Sequence, residues 1–306
     1  MTTMNTGLRG VWPALLTPLD ENLNIDHVLL LKHCQRLLAS GCAGLTLFGT
    51  TGEGPSFSLT ERQTTLQALI DGGIPAAKIL VSTSCAALPE TVELSRHAVS
   101  LGCAGCLILP PFFLKGVPDQ GVIDAYEWII EKVNDPQLKI MLYHIPQVAG
   151  VGLSVAVVAE LLKRHPNVIL GLKDSSCQLD QSLAFARAVM PPMQVWVGNE
   201  LDVQTMAGMG TLGCVSGVAN VLPRLVGRLV TQPTAIQAPA DLARVKTFLG
   251  ILGGYGLTAA FKGVMADIDA HPGWLRVRPP LLALSNAEIN SLRAQMQAFA
   301  LDPNND

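Results

Sequence analysis

The sequence predicts an α/β fold, namely a (β/α)8 TIM barrel with a C-terminal helical extension. Short apolar runs recur at regular spacing, and each is followed by a longer stretch of helical periodicity. Strands that are apolar on both faces and alternate with helices are typical of a parallel sheet covered by helices. Eight such units fit a closed barrel better than an open sheet. The runs are residues 10–16, 44–48, 78–83, 105–109, 139–143, 168–173, 194–198 and 211–215.

The helices have their own signals. Ser58 and Glu61 form a capping box before a helix that is expected to run to about Asp71, and Asp26 is expected to open a helix through Leu38. After about residue 225 the strand signal stops, and three helical stretches follow near 239–254, 257–269 and 286–299. We therefore predict a catalytic barrel domain over residues 1–225 and a helical extension over residues 226–306.

Composition limits the class of partner. The chain has 306 residues, of which 49% are hydrophobic and 15% charged, which excludes disorder as its main state. It carries 21 basic and 24 acidic side chains with no basic run, so it offers no electrostatic footprint for nucleic acid or an anionic membrane. A small-molecule partner is expected instead.

Targeting signals and cysteines point to the cytoplasm. The opening residues MTTMNTG lack the basic and apolar regions of a secretory signal. The uncharged stretch 203–222 is interrupted by glycines and polar residues, so it is interpreted as loop, strand and helix rather than a membrane span. Seven scattered cysteines fit reduced, buried thiols. Cys103 and Cys106 form a lone C-x-x-C, for which a core role is favoured over metal binding or redox chemistry.

Lys173 is the first candidate catalytic residue. In a parallel barrel the active site lies at the carboxyl ends of the strands, and Lys173 ends the strand that reads VILGLK. Alternation places Ile169, Gly171 and Lys173 on one face and Leu172 and Asp174 on the other. Desolvation favours the neutral form of an amine, and a neutral amine can attack a keto carbon to form an imine.

The preceding strand ends in Tyr143 and His144. The same alternation lets Tyr143 point toward the barrel mouth near Lys173, where a phenol can move protons during imine chemistry, although a packed tyrosine with a wetted hydroxyl is the alternative. His144 is expected to face the helix layer in a structural role. The second strand runs into GTTGEG at 49–54, whose N–H groups and hydroxyls suit a carboxylate, although a plain turn is also possible.

With these motifs in order, the sequence resembles the family of dihydrodipicolinate synthase and N-acetylneuraminate lyase, which are pyruvate-binding class I aldolases on a (β/α)8 barrel. The resemblance extends over nearly the whole chain, through GTTGEGPSFSLTER (49–62), LPPFF (109–113), LYHIP (142–146), GLKD (171–174), GNE (198–200) and GCVSGVAN (213–220).

The resemblance implies a role for each matched position. Lys173 would form the imine with C2 of pyruvate, Tyr143 would donate and accept the proton, and Thr50 would bind the Tyr143 hydroxyl. The other implied positions are substrate-binding or pocket-shaping and comprise Gly49, Thr51, Gly171, Gly198, Glu200 with Asn199, and Val215. Glu53 is expected to tie down its own loop, and Glu61 is expected to be a cap.

Two departures from the synthase pattern bear on the substrate. The synthase completes its proton relay with a tyrosine that a neighbouring subunit supplies from a T-P-Y-Y segment, and Phe112 and Phe113 stand here instead. Val148 occupies the place of the arginine that binds the carboxylate of the aldehyde, and a buried valine cannot replace a bidentate cation. Aspartate semialdehyde is therefore disfavoured as the aldehyde.

The predicted function is reversible cleavage of a 2-keto-3-deoxy (sugar) acid to pyruvate and an aldehyde. No metal and no separate cofactor are expected, since the imine at Lys173 is the electron sink. The alternatives are the dihydrodipicolinate synthase reaction, a keto-deoxy acid dehydratase that uses the same imine, and a non-catalytic keto-acid-binding protein. The resemblance also implies a homotetramer built as a dimer of dimers.

Overall fold

The structure is a computed structural model that describes residues 8–303 and 305–306. Residues 1–7, on which the expectation of no secretory signal rests, lie outside the described residues. Within the described ranges the chain forms eight strands and twelve α-helices. The strands are β1 (Gly10–Pro13), β2 (Leu45–Leu47), β3 (Ile79–Ser82), β4 (Gly105–Ile108), β5 (Ile140–His144), β6 (Ile169–Asp174), β7 (Gln194–Val197) and β8 (Gly213–Ser216).

The helices follow the strands in alternation and then continue alone. They are α1 (His27–Ala39), α2 (Leu59–Asp71), α3 (Leu88–Ser100), α4 (Asp119–Val133), α5 (Pro146–Ala149), α6 (Val155–Arg164), α7 (Leu179–Val189), α8 (Val203–Gly208), α9 (Pro223–Thr231), α10 (Ala238–Leu252), α11 (Leu257–Ile268) and α12 (Asn286–Phe299).

The strands form one sheet in the order β1-β8-β7-β6-β5-β4-β3-β2. The pairs from β3 to β8 are parallel. At the two ends of this order, Ala14 just after β1 forms a parallel bridge with Thr46 of β2, and the Leu15 N–H donates to the Thr46 carbonyl at 2.9 Å. The (β/α)8 barrel is therefore confirmed, and each predicted run contains or overlaps its strand.

The chain forms two compact units, and each combines two stretches of sequence. Of the described residues, the first comprises 8–10 and Ala76–Val215, and the second comprises Val11–Pro75, 216–303 and 305–306. The predicted boundary at residue 225 stays a prediction; helix α9, which begins at Pro223, was not separately predicted. The uncharged stretch 203–222 contains α8 and β8, as interpreted from its glycines.

The C-terminal helices pack together through aromatic side chains in the second unit. The ring of Phe248 on α10 lies 6.1 Å from that of Phe261 on α11 and 5.7 Å from that of Phe299 on α12, centroid to centroid. Phe248 and Phe261 are buried. The three predicted C-terminal helices are thus confirmed, and Phe248 and Phe261 are covered within the chain itself.

The predicted helix starts are also confirmed. The Asp26 side chain accepts the Leu29 N–H at 2.9 Å at the start of α1. Ser58 and Glu61 form the reciprocal capping box of α2. Of the helices described, no single one has the length and apolar character to cross a membrane; α10 and α11 satisfy that test only as a pair bent by 108°.

Candidate active site

Lys173 and Tyr143 meet at the carboxyl ends of neighbouring strands. The register of β5 and β6 pairs Tyr143 directly with Lys173. The Lys173 Nζ lies 4.3 Å from the centroid of the Tyr143 ring. Both residues are buried, with 4% and 2% of their surface exposed. The two side chains share one face, as the alternation of strand residues predicts.

The next residue on each strand faces the helices. The His144 ring packs edge-on against Phe185 of α7, with centroids 5.2 Å apart, and its Nδ1 accepts the Leu153 N–H at 2.8 Å. Burial lowers the pKa of His144, and the Asp174 charge opposes that shift. Asp174 in turn accepts the Ser182 hydroxyl of α7 at 2.6 Å. The structural role predicted for His144 is therefore consistent with its contacts.

Gly198 follows β7 and borders the lysine. Its N–H donates to the Asp174 carbonyl at 2.7 Å. A Cβ at this position would lie 2.0 Å from the Ser175 Oγ and 3.1 Å from the Lys173 Cε. The missing side chain of Gly198 thus leaves the space that Lys173 and Ser175 occupy. Sequence reasoning missed Ser175, although it follows GLKD directly.

Three further predicted positions lie in the same unit as Lys173. Glu200 is buried at the start of a short 3-10 turn that follows β7. Asn199 caps this turn and donates its Nδ2 to Asp202 at 2.8 Å, so the Asn199 side chain is committed to the turn. Val215 is buried on β8.

The GTTGEG turn lies in the second unit. The Gly49 carbonyl accepts the N–H groups of Gly52 and Gly54, each at 3.1 Å, and the Thr50 carbonyl accepts the Glu53 N–H at 3.2 Å. Thr50 is exposed and Thr51 half-buried. The role of Thr50 toward the Tyr143 hydroxyl stays a prediction.

Glu53 ties down its own loop, as expected, and it does so through partners that lie outside the loop. Its Oε1 accepts the Lys262 Nζ of α11 at 2.7 Å, and its Oε2 accepts the Arg278 N–H at 2.9 Å. Glu61 is a cap, as expected, and also pairs with the Arg278 guanidinium, which holds the pKa of Glu61 at about 2. Sequence reasoning missed Lys262 and Arg278; the signal for Lys262 was a lone charge inside the apolar helix AAFKGVMA.

Val148 and Phe113 are both at the surface of the chain. Val148 is 61% exposed and Phe113 is 76% exposed. The expectation that Val148 is buried is wrong, because it falls in the one-turn helix α5 rather than on β5. Lys115 joins the two loops by donating to the Phe112 carbonyl at 2.5 Å and to the Ala149 carbonyl at 2.7 Å.

Neither disulfides nor a metal-ligand cluster is found in the described part of the chain. None of the seven cysteines, all of which lie in the described ranges, forms a disulfide, and no three His, Cys, Asp or Glu side chains among residues 8–303 and 305–306 come together to hold an ion. Burial raises the pKa of Cys103 to about 12 and that of Cys106 to about 11. Thiols with such pKa values are poor thiolate ligands and nucleophiles at neutral pH.

Comparison with known proteins gives the family. The model of the dihydrodipicolinate synthetase family matches residues 7–299. The chain belongs to this family. An uncharacterized DapA-like lyase of Chloroflexus aurantiacus is 32% identical over 94% of this chain and 95% of its own length. A 4-hydroxy-tetrahydrodipicolinate synthase of a Synechococcus species is 29% identical over 97% of each chain.

Two solved structures share the fold of this chain. Dihydrodipicolinate synthase of Agrobacterium tumefaciens is 28% identical and superposes with a TM-score of 0.89 over 95% of this chain and 99% of that one. Proteus mirabilis N-acetylneuraminate lyase, at 20% identity, shares the fold with a TM-score of 0.85 over 97% of this chain and 100% of that one. The protein is accordingly a lyase of the class I aldolase type.

Proposed function

We propose that this chain is a pyruvate-dependent aldolase that reversibly cleaves a 2-keto-3-deoxy acid through an imine at Lys173. The observation that carries the proposal is the buried contact of the Lys173 Nζ with the Tyr143 ring, 4.3 Å from its centroid. An amine able to form an imine and a phenol able to move a proton are the two groups that this chemistry requires.

The reaction follows from these two groups. The neutral Lys173 amine adds to the C2 carbonyl of the keto acid, and loss of water gives the protonated imine. The C3–C4 bond then breaks as its electrons move to the imine nitrogen, while Tyr143 takes the proton of the C4 hydroxyl and the aldehyde leaves. Protonation of C3 and hydrolysis of the imine release pyruvate and restore the amine. The imine is the electron sink, so no separate cofactor takes part.

The remaining positions are assigned by their place in the family motifs. Thr50 holds the Tyr143 hydroxyl, and Thr50 and Thr51 bind the keto-acid carboxylate. Gly49 opens the turn that presents both threonines. The other positions border the rest of the substrate: Gly198 leaves room beside the lysine, Val215 shapes the pocket, and Glu200 binds a hydroxyl.

Partners and assembly follow the same resemblance. The substrates are a small keto acid and an aldehyde, and the assembly is a homotetramer of the dimer-of-dimers type in the cytoplasm. Measurement of the molar mass in solution tests the tetramer.

The synthase reaction is the second candidate, because a curated relative at 29% identity over 97% of each chain bears the name 4-hydroxy-tetrahydrodipicolinate synthase. Phe113 cannot relay a proton, and Val148 offers no cation for the carboxylate of the aldehyde. Growth of a diaminopimelate auxotroph on this gene would support the synthase reaction against our proposal.

Trapping of the imine tests the proposal. Incubation with pyruvate and borohydride is expected to add one reduced pyruvate to the intact mass, and Lys173→Ala is expected to abolish the adduct. Lys163→Ala, which alters an exposed lysine of α6, should leave it intact. Tyr143→Phe is expected to slow turnover by about 10²–10⁴, the range for loss of a general acid–base group. An unmodified wild-type mass would overturn the proposal.

Pyruvate release from a panel of 2-keto-3-deoxy acids then identifies the substrate and separates the aldolase from a dehydratase, which would consume the acid without releasing pyruvate. A protein that forms the adduct but turns over no member of the panel would be the non-catalytic alternative.

A further inference from the structure

A fully buried ion pair lies directly behind the GTTGEG turn. The Lys262 Nζ donates to the Glu53 Oε1 at 2.7 Å, and both side chains are 0% exposed. Burial lowers the pKa of Lys262, while the Glu53 charge opposes that shift. Removing two charges from water costs about as much as their attraction returns, so such a pair is weak evidence for stability alone. The pair joins the turn to α11, which suggests that it holds the turn in place.

Glu53 adopts the unusual backbone conformation of the turn. It has a left-handed backbone, with φ of 60°, immediately after Thr50, Thr51 and Gly52. A side chain is rarely found in this region unless its surroundings hold it there. The surroundings here are Lys262 on one carboxylate oxygen and the Arg278 N–H, at 2.9 Å, on the other. The carboxylate thus binds the turn to two separate C-terminal segments.

The opposite side of the turn is equally restricted. The Thr17 hydroxyl donates to the Gly52 carbonyl at 2.7 Å. A Cβ at Gly52 would lie 2.2 Å from the Leu15 carbonyl oxygen, and one at Gly54 would lie 1.9 Å from the Phe48 carbonyl oxygen. Backbone packs against backbone at both glycines, so the turn cannot move toward the strands on that side.

Thr51 and helix α11 are both neighbours of Gly217. A Cβ placed on Gly217 would lie 3.5 Å from the Thr51 Oγ1 and 3.6 Å from the ring of Phe261, the residue before Lys262. The helix that supplies the buried lysine and the threonine that is assigned to the substrate carboxylate therefore pack around the same glycine.

We infer that Lys262 and Glu53, with the Arg278 N–H, are a positioning device that fixes the Thr50–Thr51 turn in its carboxylate-binding conformation. The inference rests on the proposed function, in which this turn binds the carboxylate of the keto acid. Lys262 and Glu53 are positioning residues that act through the turn and do not touch the substrate. Loss of the device therefore weakens recognition of the carboxylate more than it weakens the chemistry at Lys173.

The test replaces the ion pair by a neutral pair of similar shape, Glu53→Gln with Lys262→Met, which leaves no unpaired buried charge. Borohydride trapping, followed by intact mass, gives the ligand concentration at half-saturation for pyruvate and for its neutral methyl ester. The half-saturating concentration of pyruvate is expected to rise about 10–100-fold, the effect of a misplaced binding group. That of the ester should change less than threefold, as should the trapping rate at saturation.

A matched control uses the exposed pair Arg293–Asp267, where Asp267 lies on the same helix α11. Asp267→Asn with Arg293→Gln should leave both half-saturating concentrations unchanged. If the double variant fails to show a cooperative thermal transition, Glu53→Gln with Lys262→Gln takes its place, since this pair also leaves no unpaired buried charge and the glutamine at position 53 can still accept the Arg278 N–H.

The outcomes separate the two proposals. If the wild type forms no adduct, the proposed function and the positioning role are both overturned. If the wild type forms the adduct but the neutral pair keeps the wild-type preference for pyruvate over the ester, only the positioning role is overturned. Equal weakening of both ligands also overturns it, because that result describes a general loss of structure.

Discussion

At the residue scale, the position of Lys173 depends on Gly198, a neighbour without a side chain. Gly198 lies where a Cβ would come within 2.0 Å of the Ser175 Oγ and 3.1 Å of the Lys173 Cε. A contact below 3.0 Å forces one of the two partners to shift. The backbone at Ser175 is held in place, because the Ser175 N–H donates to the His144 carbonyl at 2.8 Å. The absence of a side chain at position 198 therefore allows Lys173 and Ser175 to occupy their positions.

Gly198→Ala is accordingly expected to slow imine formation by at least about tenfold, because displacing a reacting group by a fraction of an ångström is costly. The measurement is the rate of borohydride-trapped adduct formation at saturating pyruvate. Gly227→Ala is the matched control, since a Cβ there meets nothing within 4 Å in the interior of α9. That variant should trap at the wild-type rate and gain about 0.5–1 kcal/mol of stability. Equal rates for Gly198→Ala and the wild type would contradict the argument.

Side-chain direction could be predicted from sequence where strand alternation governs it. Tyr143 and Lys173 share one face, and His144 contacts α7 on the other, because successive residues of a strand point to opposite sides. The partner of Glu53 could not be predicted. Lys262 is 209 residues away, and no local rule of periodicity or capping connects two positions so far apart.

At the scale of elements, Asn220, which lies in the turn after β8, connects the segment after β1 with α1 through its side-chain hydrogen bonds. The Asn220 Oδ1 accepts the Leu16 N–H at 3.1 Å and lies 2.9 Å from the His33 Nε2. The Asn220 Nδ2 donates to the Ala14 carbonyl at 2.7 Å. His33 is fully buried on α1, so this joint holds a titratable group away from water.

The buried His33 should make the free energy of unfolding sensitive to mild acid. Burial, assisted by the nearby Arg36 charge, lowers the pKa of His33 to about 3, against about 6.5 in the unfolded chain. Below pH 6.5 the unfolded state therefore binds a proton that the folded state does not, and the free energy of unfolding falls as the pH falls toward 3. The loss from this group between pH 7 and pH 5 is about 2 kcal/mol.

Urea unfolding of wild type and His33→Gln at pH 7 and pH 5 measures the effect. The variant keeps a donor for Asn220 but cannot titrate, so its loss of stability between the two pH values should be smaller by about 2 kcal/mol. His271→Gln, an exposed position, provides the comparison. Parallel pH dependence in the wild type and His33→Gln would rule out His33 as the source.

Element positions were largely predictable, and the exceptions have physical reasons. The capping box of Ser58 and Glu61 and the apolar runs place α2 and the eight strands, because they are local signals. Helix α5 was not expected, and Val148 was consequently taken as buried. The one-turn helix is four residues long and begins at Pro146, so it is too short to show a hydrophobic period.

At the scale of the whole molecule, the seven cysteines differ in their exposure to solvent. Cys34, Cys42, Cys106 and Cys214 are buried, Cys85 and Cys103 are half-buried, and Cys177 is exposed. Sequence composition indicated reduced, buried thiols, and the expected burial is wrong for Cys177, which lies in the irregular loop after β6. Burial and the negative charges of Asp202, Glu200 and Asp174 raise the pKa of Cys177.

A thiol-specific chromogenic reagent at pH 8 should therefore label one cysteine of the native protein first, Cys177, at a rate slowed by its raised pKa. Cys85 and Cys103 should follow more slowly, and all seven should react in denaturant. Cys177→Ser should remove the first phase and leave the others. Rapid labelling of three or more native thiols would contradict the described burial.

The bond between Glu53 and Lys262 also orders events during synthesis. A ribosome makes the Thr50–Thr51 turn early, whereas the lysine and the Arg278 N–H that hold its glutamate emerge more than 200 residues later. Chains are elongated at about 5–20 residues per second, so the nascent turn spends on the order of 10 s or more without its anchor. A nascent chain can thus form the Glu53–Lys262 pair and the Glu53–Arg278 hydrogen bond only near the end of its translation.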